Sequence, residues 1–205
     1  MKAWGGDVWS EATLDAEGKV ESLSLYISMD SIQGVPMMDM ESFIIPLPEI
    51  VREQTFFDHV SLDWNPHGHE PVGIYTKPHF DIHYYHPSVK EVAAIDCSDS
   101  SFISSELVPS GYALPPQLAA AGACVPGMGY HASPITDFAP TYSFEETFIY
   151  GYYQTELAFF EPMITQEFLL EKKEAHRSLP NPASFGFLPY MFPLDYAVRY
   201  VEARD

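Results

Sequence analysis

The chain has 205 residues, 46% of them hydrophobic and 15% aromatic, enough apolar material for a buried core and for one globular domain over residues 1–205. Ten Lys plus Arg against 29 Asp plus Glu leave a formal net charge of −19, a field that repels phosphate backbones and anionic headgroups and argues against nucleic-acid and membrane partners. No apolar run approaches the roughly 20 residues of a spanning helix, and the 18 prolines and 12 glycines break helical periods so often that short strands joined by turns are favoured.

The predicted fold is therefore mainly β: a single barrel-like or jelly-roll domain of short antiparallel strands with one or two short helices. The opening "MKAWGGDVWSEATLD" lacks the charged and then apolar order of a secretory signal. Read as a mature N-terminus behind an added Met, it is compatible with an exported, periplasmic or extracellular protein. Two alternating runs, Val8 to Leu14 and Val20 to Ser28, flank the turn residues Asp15 to Gly18 and predict a hairpin. "DSIQGVP" predicts a helical turn ending at Gly34, and "SFIIPLP" a strand leading towards "TFFDHVSLDWNP".

Beyond residue 86, "PSVKEVAAIDC" predicts a short helix capped by Ser88. Ser98 to Pro126 is a long Ser-, Pro-, Gly- and Ala-rich connection of the kind used as functional lids or oligomer contacts. Cys97 just before it and Cys124 near its end sit in loop-like surroundings that let them meet, as a disulfide or as two buried thiols. "SFEETFIYGYYQTELAFFEPMIT" predicts a second hairpin around "GYYQTE". Thr165 caps a helix over "QEFLLEKKEA", and "YMFPLDYAVRYVEA" closes as a strand.

The chemistry concentrates in "DWNPHGHEPVGIYTKPHFDIHYYH", which holds five of the eight histidines. His79, Asp81 and His83 fall at i, i+2 and i+4, so a strand lines them on one face while Phe80, Ile82 and Tyr84 point to the core. "HGHE" sets His67 and His69 at the same spacing beside Glu70, and the turn-like "PVGIYTK" folds the two groups together as the walls of a hairpin. Imidazole with carboxylate suits a divalent transition metal, Zn, Mn, Fe, Ni or Cu, and the absence of nearby Cys argues against a thiolate site. His131 in "VPGMGYH" and Glu161 in "FFEPM" complete the candidate ligand set of His67, His69, His79, His83, His131 and Glu161. Glu161 precedes a proline expected to stop pairing. Glu70 and Asp81 are the candidate catalytic acid or base, and Tyr75 and Asp81 are also suited to orienting a ligand. His59 and His86 read as ordinary hydrogen-bonding histidines.

At these residues the chain resembles a little-characterised bacterial family, associated with a Thermus protein controlled by an envelope-stress sigma factor. Its signature runs approximately DWNPHGHEPxGxYxxPHFDxHFY, followed by VPxMGxH and GxxxxxxxFxEPMIT; here Tyr84 replaces the signature Phe. The resemblance implies an exported or envelope protein and a ring-like homo-oligomer, and it brings no reaction. The His-x-His arrangement with a nearby Glu is also loosely similar to cupins, whose metal sits in a small β-barrel, although Glu70 follows His69 directly where cupins space it further on.

Two functions compete. One is a metal-dependent enzyme, hydrolytic or oxidative, acting on a small-molecule or polymer substrate that the sequence leaves unspecified. The other is an exported oligomeric binding or structural protein in which the metal or histidine network is structural, with "YGYYQ" and "FLPYMFP" as subunit contacts or core. A carbohydrate-binding module finds no stripe among Trp4, Trp9 and Trp64. Nucleophile elbows and phosphate loops are absent.

Overall fold

The computed structural model describes residues 1–99, 101–115, 124–184 and 192–202. β1 (Lys2–Ala3) and β3 (Val20–Ile27) flank β2 (Gly6–Leu14) in a three-stranded sheet. The β2–β3 turn is held by the Asp15 carboxylate, which accepts from the N–H groups of Glu17 and Lys19. α1 (Met29–Gln33), capped by Ser28, ends at Gly34 as expected, and β4 (Glu41–Pro46) follows. α2 (Glu49–Gln54) was not foreseen; it opens directly after Pro48, whose φ of −52° is already near the helical value.

β5 (His59–Asn65) and β6 (His79–Tyr85) form the central hairpin, followed by α3 (Val89–Ala93) with its Ser88 and Glu91 capping box. β7 (Tyr112–Ala113), β8 (Cys124–Val125) and β9 (Gly129–Pro134) come next, and a disulfide joins Cys97 to Cys124. A 3-10 turn over Ile135–Phe138 leads to the hairpin of β10 (Glu146–Tyr153) and β11 (Glu156–Thr165). Its ladder runs on through Pro162, paired with Phe148, where pairing was expected to stop. α4 (Gln166–Leu170), capped by Thr165, is shorter than expected because Lys172 turns into the left-handed region at φ 56°. Ala175 then opens β12 (Ala175–Ser178), which pairs β13 (Asp195–Val198). Much of "FLPYMFP" lies outside the described residues. In "YGYYQ", Tyr150 and Tyr152 are core.

The mainly antiparallel β expectation holds. Four short α-helices, rather than one or two, accompany the strands among the described residues. The principal sheet has the order β4-β5-β6-β11-β10-β9-β7, with β8 beside β9, and it is not closed into a barrel.

Alternation along these strands gives the sheet two faces of opposite chemistry. Val60, Leu62, Trp64, Phe80, Ile82, Phe160, Phe148 and Tyr150 turn to the main core, where they meet Val8, Ile32, Ile45 and Val51. At about 1.5–3 kcal/mol for each fully buried large apolar side chain, this face supplies the stabilisation. The opposite face carries His59, Ser61, Asp63 and Asn65 on β5, and His79, Asp81, His83 and Tyr85 on β6. β11 adds Phe159, Glu161 and Met163 to it. That polar face is buried too, beneath Tyr75 and Phe144 at one end and Val92 and Met128 at the other.

Gly151 pairs directly with Phe159, and a Cβ there would lie 2.1 Å from the Phe159 ring. The same ring packs against His83 and His131 at centroid distances of 4.9 and 5.0 Å. Gly151→Ala is therefore expected to cost on the order of 1–3 kcal/mol through overpacking. Chemical denaturation measures it, and an unchanged midpoint would show that the ring yields freely.

Candidate metal centre

Two histidine–histidine–carboxylate groups lie along β6. In the first, His83, His131 and Glu161 converge from β6, β9 and β11. The Nε2 of His83 is 3.3 Å from one Glu161 oxygen, and the Nε2 of His131 is 3.6 Å from the other. In the second, Asp81 stands between His79 and His69, with Nε2 to carboxylate distances of 2.9 and 3.2 Å. Within each group the candidate ligand atoms lie within 4.8 Å of one another.

In three of these rings the far nitrogen is anchored. His83 Nδ1 meets the Asp63 carboxylate at 2.9 Å, and Asp63 is itself fixed by the Ser61 hydroxyl, which donates to it at 2.9 Å. His79 Nδ1 faces the carbonyl of Lys77 at 2.7 Å, and His69 Nδ1 that of Glu70 at 2.6 Å. Such partners set the tautomer and aim Nε2 inwards, as in metal sites where an outer acceptor orients the ligating ring.

The inward atoms are left in need of a partner. His83 Nε2, Glu161 Oε2, His79 Nε2 and Asp81 Oδ1 are all buried and make no hydrogen bond. A buried polar atom without a partner costs about 1–3 kcal/mol. Four of them gathered at two points fit the lone-pair side of a cation site.

Electrostatics divides the histidines. Burial opposes charge on His69 and His83, but Asp81 for the one, and Glu161 and Asp63 for the other, more than offset it and raise each pKa to about 9. Burial and the neighbouring His83 lower His131 to about 3, so its imidazole is neutral. Burial likewise raises Glu161 well above the ordinary carboxylate range, against the pull of His83. Burial also opposes ionisation of Asp81, but His69 and His79 hold its carboxyl well below that range.

A family model matches part of the chain. It is described as TTHB210-like, hypothetical protein TTHB210, and it covers residues 15–64. That is less than half of the chain, running from the β2–β3 turn to Trp64 in β5. It fits the resemblance to a Thermus-associated family, but the signature beyond Trp64 and every candidate ligand lie outside it. No curated protein and no solved structure matches the chain. The cupin likeness gains no support, since the sheets do not close into a barrel.

Of the residues singled out in the sequence, His69, His79, Asp81, His83, His131 and Glu161 fall into the two groups. His67 and Glu70 do not; both are exposed on the connecting loop, residues 66–78. "HGHE" is thus not a strand wall: β5 supplies the hairpin partner, and Pro66, Pro71 and Pro78 keep the loop from extending the ladder. Gly68, at φ +64°, lets the loop close on itself, since a Cβ would lie 2.2 Å from the Tyr75 carbonyl, which accepts from His69 N–H. Tyr75 stands edge-on to His69 at a ring distance of 6.1 Å, and its hydroxyl donates to Asp137 at 2.8 Å and pins the loop over the polar face.

Sequence reasoning missed Ser61, Asp63 and Asn65, which the alternation of "HVSLDWN" would have placed beside β6. Asn65 donates to Asp81 at 2.8 Å. His59, set aside earlier, shares the same face and stacks on Tyr85, and His86 accepts the expected ordinary role at the Phe56 carbonyl.

The pKa shifts predict a stability profile for the metal-free protein. Folded-state values near 9 for His69 and His83 exceed the ordinary 6.5, so the stability these groups contribute is complete below pH 6.5 and lost as pH rises towards 9. Glu161, raised as well, acts in the same direction. Urea midpoints are therefore expected to fall between pH 6.5 and 9. A midpoint that rises over this window would contradict the carboxylate pairing that raises His69 and His83.

Proposed function

We propose that this chain is a metal-binding β protein whose His83, His131 and Glu161 hold a divalent transition ion. The observation that carries the reading is the convergence of two buried, unpartnered atoms, His83 Nε2 and Glu161 Oε2, on the neutral imidazole of His131. Two nitrogens and one carboxylate suit Zn, Mn, Fe, Ni or Cu, and such a triad leaves coordination positions open. An ion held this way supplies Lewis acidity, for hydrolysis or for binding an oxidisable substrate, so the reading extends to a metal-dependent enzyme.

The chain's own contribution is orientation and shielding. Asp63 fixes the His83 ring, and Tyr85 and Phe159 wall it in, at ring distances of 5.3 and 4.9 Å. The Cys97–Cys124 disulfide supports an exported location, because disulfides persist in oxidising compartments. One contact favours a structural network instead: His83 Nε2 lies 3.3 Å from Glu161 Oε1, an ion pair that a protonated imidazole makes without a metal.

Elemental analysis of protein purified without a histidine tag separates these readings. Stoichiometric metal in the wild type, reduced by one equivalent in His83→Ala, together with a higher Tm on metal addition, is the expected result. A folded wild type that stays metal-free after incubation with Zn, Mn, Fe, Ni and Cu would leave only the ion-paired network.

A further inference from the structure

We infer that the chain takes a second, separate divalent transition ion at His69, His79 and Asp81, and that this outer ion fastens the loop over residues 66–78. The inference rests on the metal-binding reading of the sheet face but makes its own demand on stoichiometry. The group has the same construction as the first. His79 Nε2 and Asp81 Oδ1 face each other at 2.9 Å without hydrogen-bond geometry, on side chains 0% and 5% exposed. The other carboxylate oxygen is steadied by Asn65, and the far nitrogens of both rings are committed to backbone carbonyls.

The two groups share no residue. Both Asp81 oxygens face His69 and His79, whereas the Nε2 of His83, about 7 Å further along β6 at its backbone, faces Glu161. Two-metal clamps hold their ions about 3.5–4 Å apart, usually about common ligands. Two mononuclear sites therefore fit this spacing better than one bridged pair. Charge is compatible with both ions, since Asp63, Asp81 and Glu161 place three carboxylates on the face that would receive them.

The sites differ in access. His83 and Glu161 are buried strand residues, whereas His69 comes from the loop and its side chain is 34% exposed. His69 joins that loop to Asp81 on the sheet, while Tyr75 pins the loop separately to Asp137. An ion at the outer group adds a bond from the loop to two strand residues, so it exchanges with solvent and holds the loop down.

Zinc is the probe, quantified on full-length protein after removal of excess metal, with hydrogen exchange of residues 66–78 followed by mass spectrometry. Two equivalents are expected in the wild type and one each in His69→Ala and His131→Ala. The loop should gain at least a tenfold slowing of exchange with zinc in the wild type and none in His69→Ala. Asp81→Asn, nearly isosteric, should reproduce the loss in His69→Ala if folding of any alanine variant is compromised. One equivalent that survives His69→Ala and disappears in His131→Ala would overturn the second site while keeping the first. One equivalent abolished by either substitution would mean a single shared ion and also overturn it. No zinc in the wild type would remove both readings together.

Discussion

Register between β5, β6 and β11 is the constraint on which everything else here depends. Side chains alternate with period two, so slipping β6 by one residue would turn His79, Asp81 and His83 into the apolar core and expel Phe80 and Ile82 from it. The cost on either face forbids this. Trp64 opposite Phe80, and Leu62 opposite Ile82, hold the register from the core side. On the other side Asp63 lies directly opposite Asp81, a pairing of like charges that is tolerable because each carboxylate has its own imidazole and a neutral donor.

The polar face is the expensive part of the fold. Its histidines and carboxylates are buried almost completely, and burying charge is repaid only where partners and geometry are good. The outward nitrogens and oxygens meet that condition; the inward ones do not. Stability thus comes from the aromatic core behind the sheet, and the unsatisfied atoms in front of it are the place where the sequence departs from local consistency. Departures of that kind concentrate at functional sites.

Much of this was legible in the residues. The alternation of "HFDIHYY", the hairpin around "GYYQTE", and the Ser88 and Thr165 caps follow from period and turn chemistry, and all are present. Even the spacing between Gly and Phe in "GYYQTELAF" has a physical cause, since the two ends pair across the hairpin and only glycine leaves room for the ring. Strand parity put His79, Asp81 and His83 on one face, but it does not give distance. His79 and Asp81, two residues apart, turn their ligand atoms to within 2.9 Å of each other, whereas His83, at the same spacing from Asp81, turns to Glu161 and so falls in the other group. His67 and Glu70 could not be judged from spacing, because loop side chains follow no period. α2 was hidden by the prolines on its N-terminal side.

The central claim is that the atoms facing inwards on this sheet are cation ligands and not an ion-paired core. X-ray diffraction from zinc-grown crystals, recorded on both sides of the zinc absorption edge, tests it most directly. The account predicts an anomalous peak about 2.0–2.2 Å from His83 Nε2, His131 Nε2 and a Glu161 oxygen. Crystals in which those atoms meet one another through hydrogen bonds or ordered water, with no anomalous signal between them, would contradict it.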